Sequence, residues 1–388
     1  MDKILPLLES ETEKTCYKSL RYCADEELRL PTLSYDETQA FTVVKDKHGE
    51  TDTTLKTTKP ISTIAKTIIN DEPLFRYFLD GSRRTYKIDD IEINRRIYPI
   101  MAGQIGVACC ERKTASQFKC AELENNLVLA LPTASSPDFK NSEQFFNSLT
   151  NKINQLKRVE NASVQFSKIL TYSSAVQEDN NKYEQLGIAT IQDEMVECEK
   201  KIVSYLHKKS LLSQSGYLIK DGSLQYTNSP KSGDYKELTK YRNHYRCVIG
   251  VSKLFNPELC KDKSGKSNAD KIAQLLLYHR TPVFMYQSER VGNTNFAIWY
   301  VRIRDRKHTE SPFAGVLKLE KILITDDENE NGLDSAEVDL ITANIINERN
   351  PVCYGKDSRW ANHLYPVYLT ESFIKSKYLS DIHFLNLF

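Results

Sequence analysis

Residues 74–88 read LFRYFLDGSRRTYKI, and residues 217–225 read YLIKDGSLQ. Each begins as an apolar run rich in the aromatic and branched residues that favour strands. Each then reaches Asp-Gly-Ser, at 80–82 and at 221–223. One such tripeptide is a common turn, because Asp and Gly both suit tight backbone geometry. Two copies in the same setting suggest more. An Asp at the carboxyl edge of a strand presents its side chain to the crevice beyond the sheet, where α/β proteins bind ligands. On this reading an apolar run ends on Asp80, Gly81 breaks it, and Asp221 closes a second strand.

The flanking sequence predicts an α/β fold with a mixed sheet, since early strands give way to alternating helices and strands. IYPIMAGQIGVACC (97–110) has the content of a buried strand or strand pair. CVIGVSKLF (247–255), FAIWYVRIRD (296–305) and AGVLKLEKI (314–322) read as further strands. Between about 187 and 209, Ile191, Met195, Cys198, Ile202 and Leu206 recur on one helical stripe. Helices are also expected around 10–25 and 60–70, over 145–159, over SNADKIAQLLLYHR (267–280) and over AEVDLITANIINER (336–349). The tail LYPVYLTESFIKSKYL (364–379) reads as a turn and a helix. KDKHGETDTTLKTTK (45–59), SSPDFKNSEQ (135–144), VQEDNNKYEQ (176–185) and the acidic DDENENGLDSAE (326–337) read as loops. No period of 20–50 residues marks a repeat array.

Composition narrows the function. The 388 residues are 40% hydrophobic and 27% charged, enough for a sizeable core. A net charge of +1 gives no overall basic signature, although a basic groove can hide inside a neutral total. Nine cysteines without a CxxC pair argue against a zinc ribbon and predict reduced, buried thiols. The opening MDKILPLLESETEK is too acidic for a signal peptide. No apolar run approaches the ~20 residues of a membrane span, so a cytoplasmic protein is expected. GxSxG, GxxxxGK[ST] and GxGxxG are all missing, which disfavours serine hydrolase chemistry and binding of ATP or NAD.

Paired carboxylates on neighbouring strands would repel each other unless a cation lay between them. Hard divalent ions take oxygen ligands, and two metals ~4 Å apart clamp the attacking and leaving oxygens of a phosphodiester. Arg83 and Arg84 beside the first Asp could hold phosphates, or be plain hairpin charges.

The order of four signatures makes a family resemblance specific. FLDGSRR, YLIKDGSLQ, VIGVSK and YPVYL follow one another over roughly residues 75–380, nearly the whole chain. This arrangement resembles the NurA nucleases. The resemblance implies an RNase H-like mixed sheet flanked by helices over residues 75–388, with residues 1–74 as an N-terminal extension. It implies DNA cleavage with Mn²⁺ or Mg²⁺, a homodimer, and a HerA-type hexameric ATPase as partner, in DNA repair or antiviral defence. Asp80 and Asp221 carry over as metal ligands, and Lys253 as a neutraliser of phosphate, against its plain reading as a surface cap.

Such sites also use a Glu from the helix before the second motif. Counting residues back along that helix selects Glu197, whereas its phasing favours Glu194 and Glu199. The family's His on the last helix has no counterpart here; Glu371 or His363 would have to replace it. That departure keeps open a catalytically degenerate subunit that binds DNA or an ATPase without cutting. Another RNase H-like nuclease, of Argonaute or resolvase type, is a further alternative.

Overall fold

The computed structural model describes residues 3–18, 21–24, 42–137, 141–175, 181–225, 235–288, 291–309, 311–352 and 360–388. Helix α1 (Ile4–Thr12) and the short strands β1 (Thr15–Tyr17), β2 (Tyr22–Cys23), β3 (Thr42–Val43) and β4 (Lys59–Pro60) precede helix α2 (Ser62–Thr67). Three long strands follow: β5 (Phe75–Ile93), β6 (Arg96–Arg112) and β7 (Phe118–Pro132). Helices α3 (Ser142–Asn154) and α4 (Lys157–Asn161) lead to β8 (Phe166–Tyr172). Helix α5 (Asn181–Lys208) leads to β9 (Tyr217–Asp221), and α6 (Tyr235–His244) to β10 (Val248–Ser252). The remainder holds α7 (Ala269–Ala273), β11 (His279–Arg280), β12 (Phe284–Ser288), β13 (Thr294–Arg302), β14 (Val316–Ile322), α8 (Asp326–Asn331), α9 (Ser335–Glu348), α10 (Tyr365–Lys375) and α11 (Asp381–Leu385).

One mixed sheet runs in the order β3-β12-β13-β14-β10-β9-β5-β6-β7-β8. Strands β5, β6 and β7 form an antiparallel meander, β9 lies parallel to β5, and β10 parallel to β9. The β5–β6 turn is only Asn94-Arg95, with φ of 51° and 64°. Two successive left-handed residues twist the turn in the sense that suits a tight hairpin. Strand β6 is buried from Tyr98 to Cys110, because helices cover both its faces.

The expected stripe of Ile191, Met195, Cys198, Ile202 and Leu206 is the buried face of α5, packed over β5, β6 and β7. Helices α9 and α10 cover the opposite face, where Val338, Ile341 and Val367 meet Phe78, Ile219 and Trp299. Among the described residues, no helix is long and apolar enough to cross a membrane. Eight cysteines are described and all are free; Cys353 lies outside the described residues.

Several local expectations are corrected. The sheet does not break at Gly81: β5 continues through Asp80-Gly81-Ser82, paired residue by residue with β6. The helix expected over 10–25 ends at Thr12, where Glu13 turns left-handed at φ 56°; residues 19–20 and 25 lie outside the described residues. The 267–280 helix shrinks to α7. The buried Arg302 guanidinium donates to the carbonyls of Ala273 and Leu275, at 3.0 and 2.6 Å, and so takes the acceptors of its last turn. The acidic 326–337 loop instead holds α8, started by a capping box between Thr325 and Glu328. Residues 181–185 open α5, while 138–140 and 176–180 of the two expected loops lie outside the described residues.

Residues before the first motif join the same sheet. Strands β1 and β2 pair with β5, β3 with β12, and β4 with β11. A buried ion network fixes part of this segment. Arg280, fully buried, donates to Glu50 at 2.9 and 2.7 Å and to Asp339 at 2.7 Å, and Lys59 reaches Asp339 at 2.6 Å.

Candidate active site

The parallel register pairs Leu79 with Lys220, so Asp80 and Asp221 follow side by side on adjacent strands. β10 brings Val251 opposite Asp221, and Lys253 lies just past its end. Side chains alternate across a strand. Gly81 faces α5, so Asp80 points to the α10 face. Lys253 Nζ is 2.8 Å from Asp221 Oδ2 and 3.8 Å from Glu371 Oε2, which projects from α10. Lys375 also holds Glu371, at 2.8 Å, from the outer side.

Asp80 is 5% exposed, and among the described residues none donates a hydrogen bond to its carboxyl. Burial, and then the charge of Asp221, push its pKa well above the usual carboxylate range, with Lys253 opposing. Burial alone would lower the pKa of Lys253, but Asp221, Asp80 and Glu371 outweigh it and raise it. The site is therefore a group of three carboxylates on one sheet face, Asp80 buried and Asp221 and Glu371 half-buried, partly neutralised by an ammonium. Among the described residues, no three His, Cys, Asp or Glu side chains converge as a ready-made metal cage.

The three helix glutamates separate cleanly. Glu197 points away, 38% exposed, and pairs with Lys200 one turn along. Glu194 pairs with Lys168 at 2.7 Å. Glu199 is 2% exposed and stands beneath Gly81, where a Cβ would come 2.7 Å from its Oε1. It pairs with the buried Lys220 at 3.2 Å, and its pKa is raised by burial against the pull of that lysine. The structure turns Glu197 away from Asp80 and Asp221; of the three, Glu199 is the one whose charge acts on both aspartates, from the opposite face of the sheet. Counting back to Glu197 assumed a helix antiparallel to a strand of equal length, whereas α5 crosses four strands, β5, β6, β7 and β8.

His363 is buried with its ring edge-on to Tyr368 at 5.6 Å, and Glu371 is the α10 group that acts on Asp80. Arg83 and Arg84 are engaged within the protein. Arg83 donates to Gln192 and Thr85 at 2.6 and 2.9 Å, and Arg84 pairs with Asp381 at 3.2 Å.

A second set of residues escaped the sequence reading. Ser223 Oγ donates to the fully buried Glu320 at 2.9 Å, and Leu224 N donates to the same carboxylate at 2.9 Å. Lys318 compensates Glu320 at 2.7 Å. This clamp fixes the turn after Asp221, where Gly222 takes φ +83°. Its signal lay in KLEK: Lys318 and Glu320 sit two apart in an apolar strand, hence on one buried face.

No family model matches the sequence, and no curated protein does. Among solved structures, the fold is similar to the NurA nuclease from Sulfolobus solfataricus at a TM-score of 0.40 and 9% identity, over 84% of this chain and 90% of that one.

Proposed function

We propose that this chain is a divalent-metal-dependent nuclease that hydrolyses DNA phosphodiesters on an RNase H-like core. The observation that carries the reading is the adjacent pair Asp80 and Asp221, with the Asp80 carboxyl buried and, among the described residues, without a hydrogen-bond donor. A buried carboxyl in that state calls for a cation, and hard divalent ions suit its oxygens. Magnesium-type sites use one or two carboxylates and leave the remaining positions to water and substrate phosphate. Asp80 and Asp221 fit that pattern. The strand order β7-β6-β5-β9-β10, antiparallel and then parallel, supports the RNase H-like core. DNA as substrate rests on the resemblance of the four signatures.

In this reading Asp80 and Asp221 would hold the metal, which supplies Lewis-acid polarisation of a phosphate oxygen and an activated water. Lys253 neutralises carboxylate charge and lies close enough to donate to a phosphate oxygen. Glu371, at the more exposed side, orients the attacking water. Glu199 and Lys220 brace the pair from the α5 face, and the Ser223–Glu320 clamp holds the Asp221 turn in place. Supply of DNA by a HerA-type hexameric ATPase, a homodimeric state, and a role in DNA end processing or antiviral defence complete the proposal. The test is cleavage of linear and circular DNA with Mn²⁺, Mg²⁺ or EDTA, comparing the parent with Asp80→Asn and Asp221→Asn. Metal-dependent cutting lost in both variants is expected; parental cutting in both, or cutting unaffected by EDTA, would overturn it.

One observation favours a second reading. Lys253 already places an ammonium among Asp80, Asp221 and Glu371. A chain that uses this lysine in place of a metal would bind DNA or the ATPase without cleaving. It would leave DNA uncut in the same assay and still retard it on a native gel.

A further inference from the structure

Cys110 on β6 and Cys120 on β7 are direct partners in the antiparallel register, just after a shift at Cys109. Such partners have Cα atoms roughly 4.5–5.5 Å apart with side chains on the same face. A disulfide needs Cα atoms about 4.4–6.8 Å apart, so the backbone already meets its main requirement. Both thiols are free. Cys109, by contrast, is fully buried in the core on the α5 face and opposes Glu122.

Helix α10 runs over the pair. The Cys110 sulfur lies against the hydroxyl of Thr370, the residue before Glu371. The ammonium of Lys377, two residues past the end of α10, acts on the partly exposed Cys120. Cys110 is only 6% exposed. One thiol is thus reachable and has a cation at hand, and the other waits behind it. Burial raises both thiols above their ordinary pKa; at Cys120 the nearby Glu122 adds to that rise and Lys377 opposes it. A lysine near a thiol favours the reactive thiolate.

We propose that Cys110 and Cys120 form an oxidation-sensitive dithiol that closes to a disulfide on meeting a peroxide. The Cys120 thiolate attacks one peroxide oxygen, forming a sulfenic acid and releasing hydroxide, which takes up the thiol proton as water. Cys110 then attacks the Cys120 sulfur, the new S–S bond forms, and a second water leaves. The sum is two thiols and one hydrogen peroxide giving one disulfide and two waters. The bridge draws the Cys110 sulfur from Thr370 toward Cys120, so oxidation is felt beside Glu371.

The test uses the reduced full-length protein treated with stoichiometric hydrogen peroxide, alkylated, and cut with trypsin. Cys110 lies in the peptide 97–112 and Cys120 begins the peptide 120–140, so a bridge joins two separate fragments. The expected product is that linked pair, two hydrogens lighter than the sum of the reduced peptides, with fragmentation assigning the bond to Cys110, and reversal by dithiothreitol. Cys120→Ser and Cys110→Ser should each lose the linked pair; the more exposed Cys120 is the variant expected to fold without repacking. Parent protein with both cysteines still alkylated after oxidation would overturn the proposal, as would a bond from Cys120 to any other cysteine.

Discussion

Replacing Asp80 by Asn removes one charge from a crowded group and leaves its shape, so the energetic outcome can be worked from the site itself. Adjacent parallel strands lie about 4.8 Å apart. At that spacing two like charges repel by roughly 3 kcal/mol at an effective dielectric near 20. Asp80 faces such repulsion from Asp221 and smaller terms from Glu371 and Glu199, against one attraction of similar size to Lys253. Burial adds to the cost of its charge. Asp80→Asn should therefore raise metal-free stability at neutral pH, by roughly 1–3 kcal/mol on this Coulomb estimate. A carboxyl whose pKa is raised on folding contributes stability below its unfolded pKa and loses it as pH rises through the folded value. The gain should then shrink as pH falls toward the ordinary carboxylate range. Urea unfolding of parent and variant in EDTA, at neutral pH and near pH 4, measures it. The same preparations should show lost metal-dependent cleavage and lost stabilisation by Mn²⁺. A variant less stable than the parent by about 1 kcal/mol in EDTA would refute the reasoning, because Lys253 would then outweigh every repulsion.

Other outcomes follow from groups already described. Glu199→Gln should lower metal-dependent cleavage at least tenfold while Glu197→Gln stays within twofold of the parent; the reverse ranking, read from initial rates on linear DNA, would remove Glu199 from the site. Arg280→Met leaves Glu50 and Asp339 buried without their shared cation, and breaking a buried pair in this way costs roughly 3–5 kcal/mol, so the urea midpoint should fall sharply. Glu348, 6% exposed beside Arg112, has its pKa raised from 4.5 to about 7 by burial, with Arg112 opposing. It should contribute stability below pH 4.5 that is lost as pH rises through 7, about 3 kcal/mol at most, and Glu348→Gln should flatten that part of the stability profile.

The strands and the long helix were legible because their apolar residues repeat at the right period. The stripe from Ile191 to Leu206 and the runs ending at Asp221 and Ser252 needed no tertiary knowledge. The glutamate choice needed it, since Glu194, Glu197 and Glu199 differ only in what α5 packs against. The fate of 267–280 was hidden for the same reason: three consecutive leucines satisfy a helix on paper, but Arg302 arrives from another strand to take its carbonyls. At 326–331 the signal was present in the sequence, as Thr325 three residues before Glu328, and the density of acids masked it. The Ser223–Glu320 clamp joins residues 97 apart, a distance over which local pattern says nothing.

The two Asp-Gly-Ser tripeptides look interchangeable and obey different stereochemistry. Gly222 is glycine for handedness: its φ of +83° suits the mirror-image amino acid, and an added Cβ would meet nothing closer than Lys220 Nζ at 3.5 Å. Gly81 is glycine for room: it lies in extended strand, and a Cβ would run into Glu199 at 2.7 Å and Met195 at 3.2 Å. Asn or Asp, which tolerate left-handed backbone, are therefore the least strained replacements at 222, whereas a side chain at 81 requires the Glu199 carboxylate and Met195 to shift.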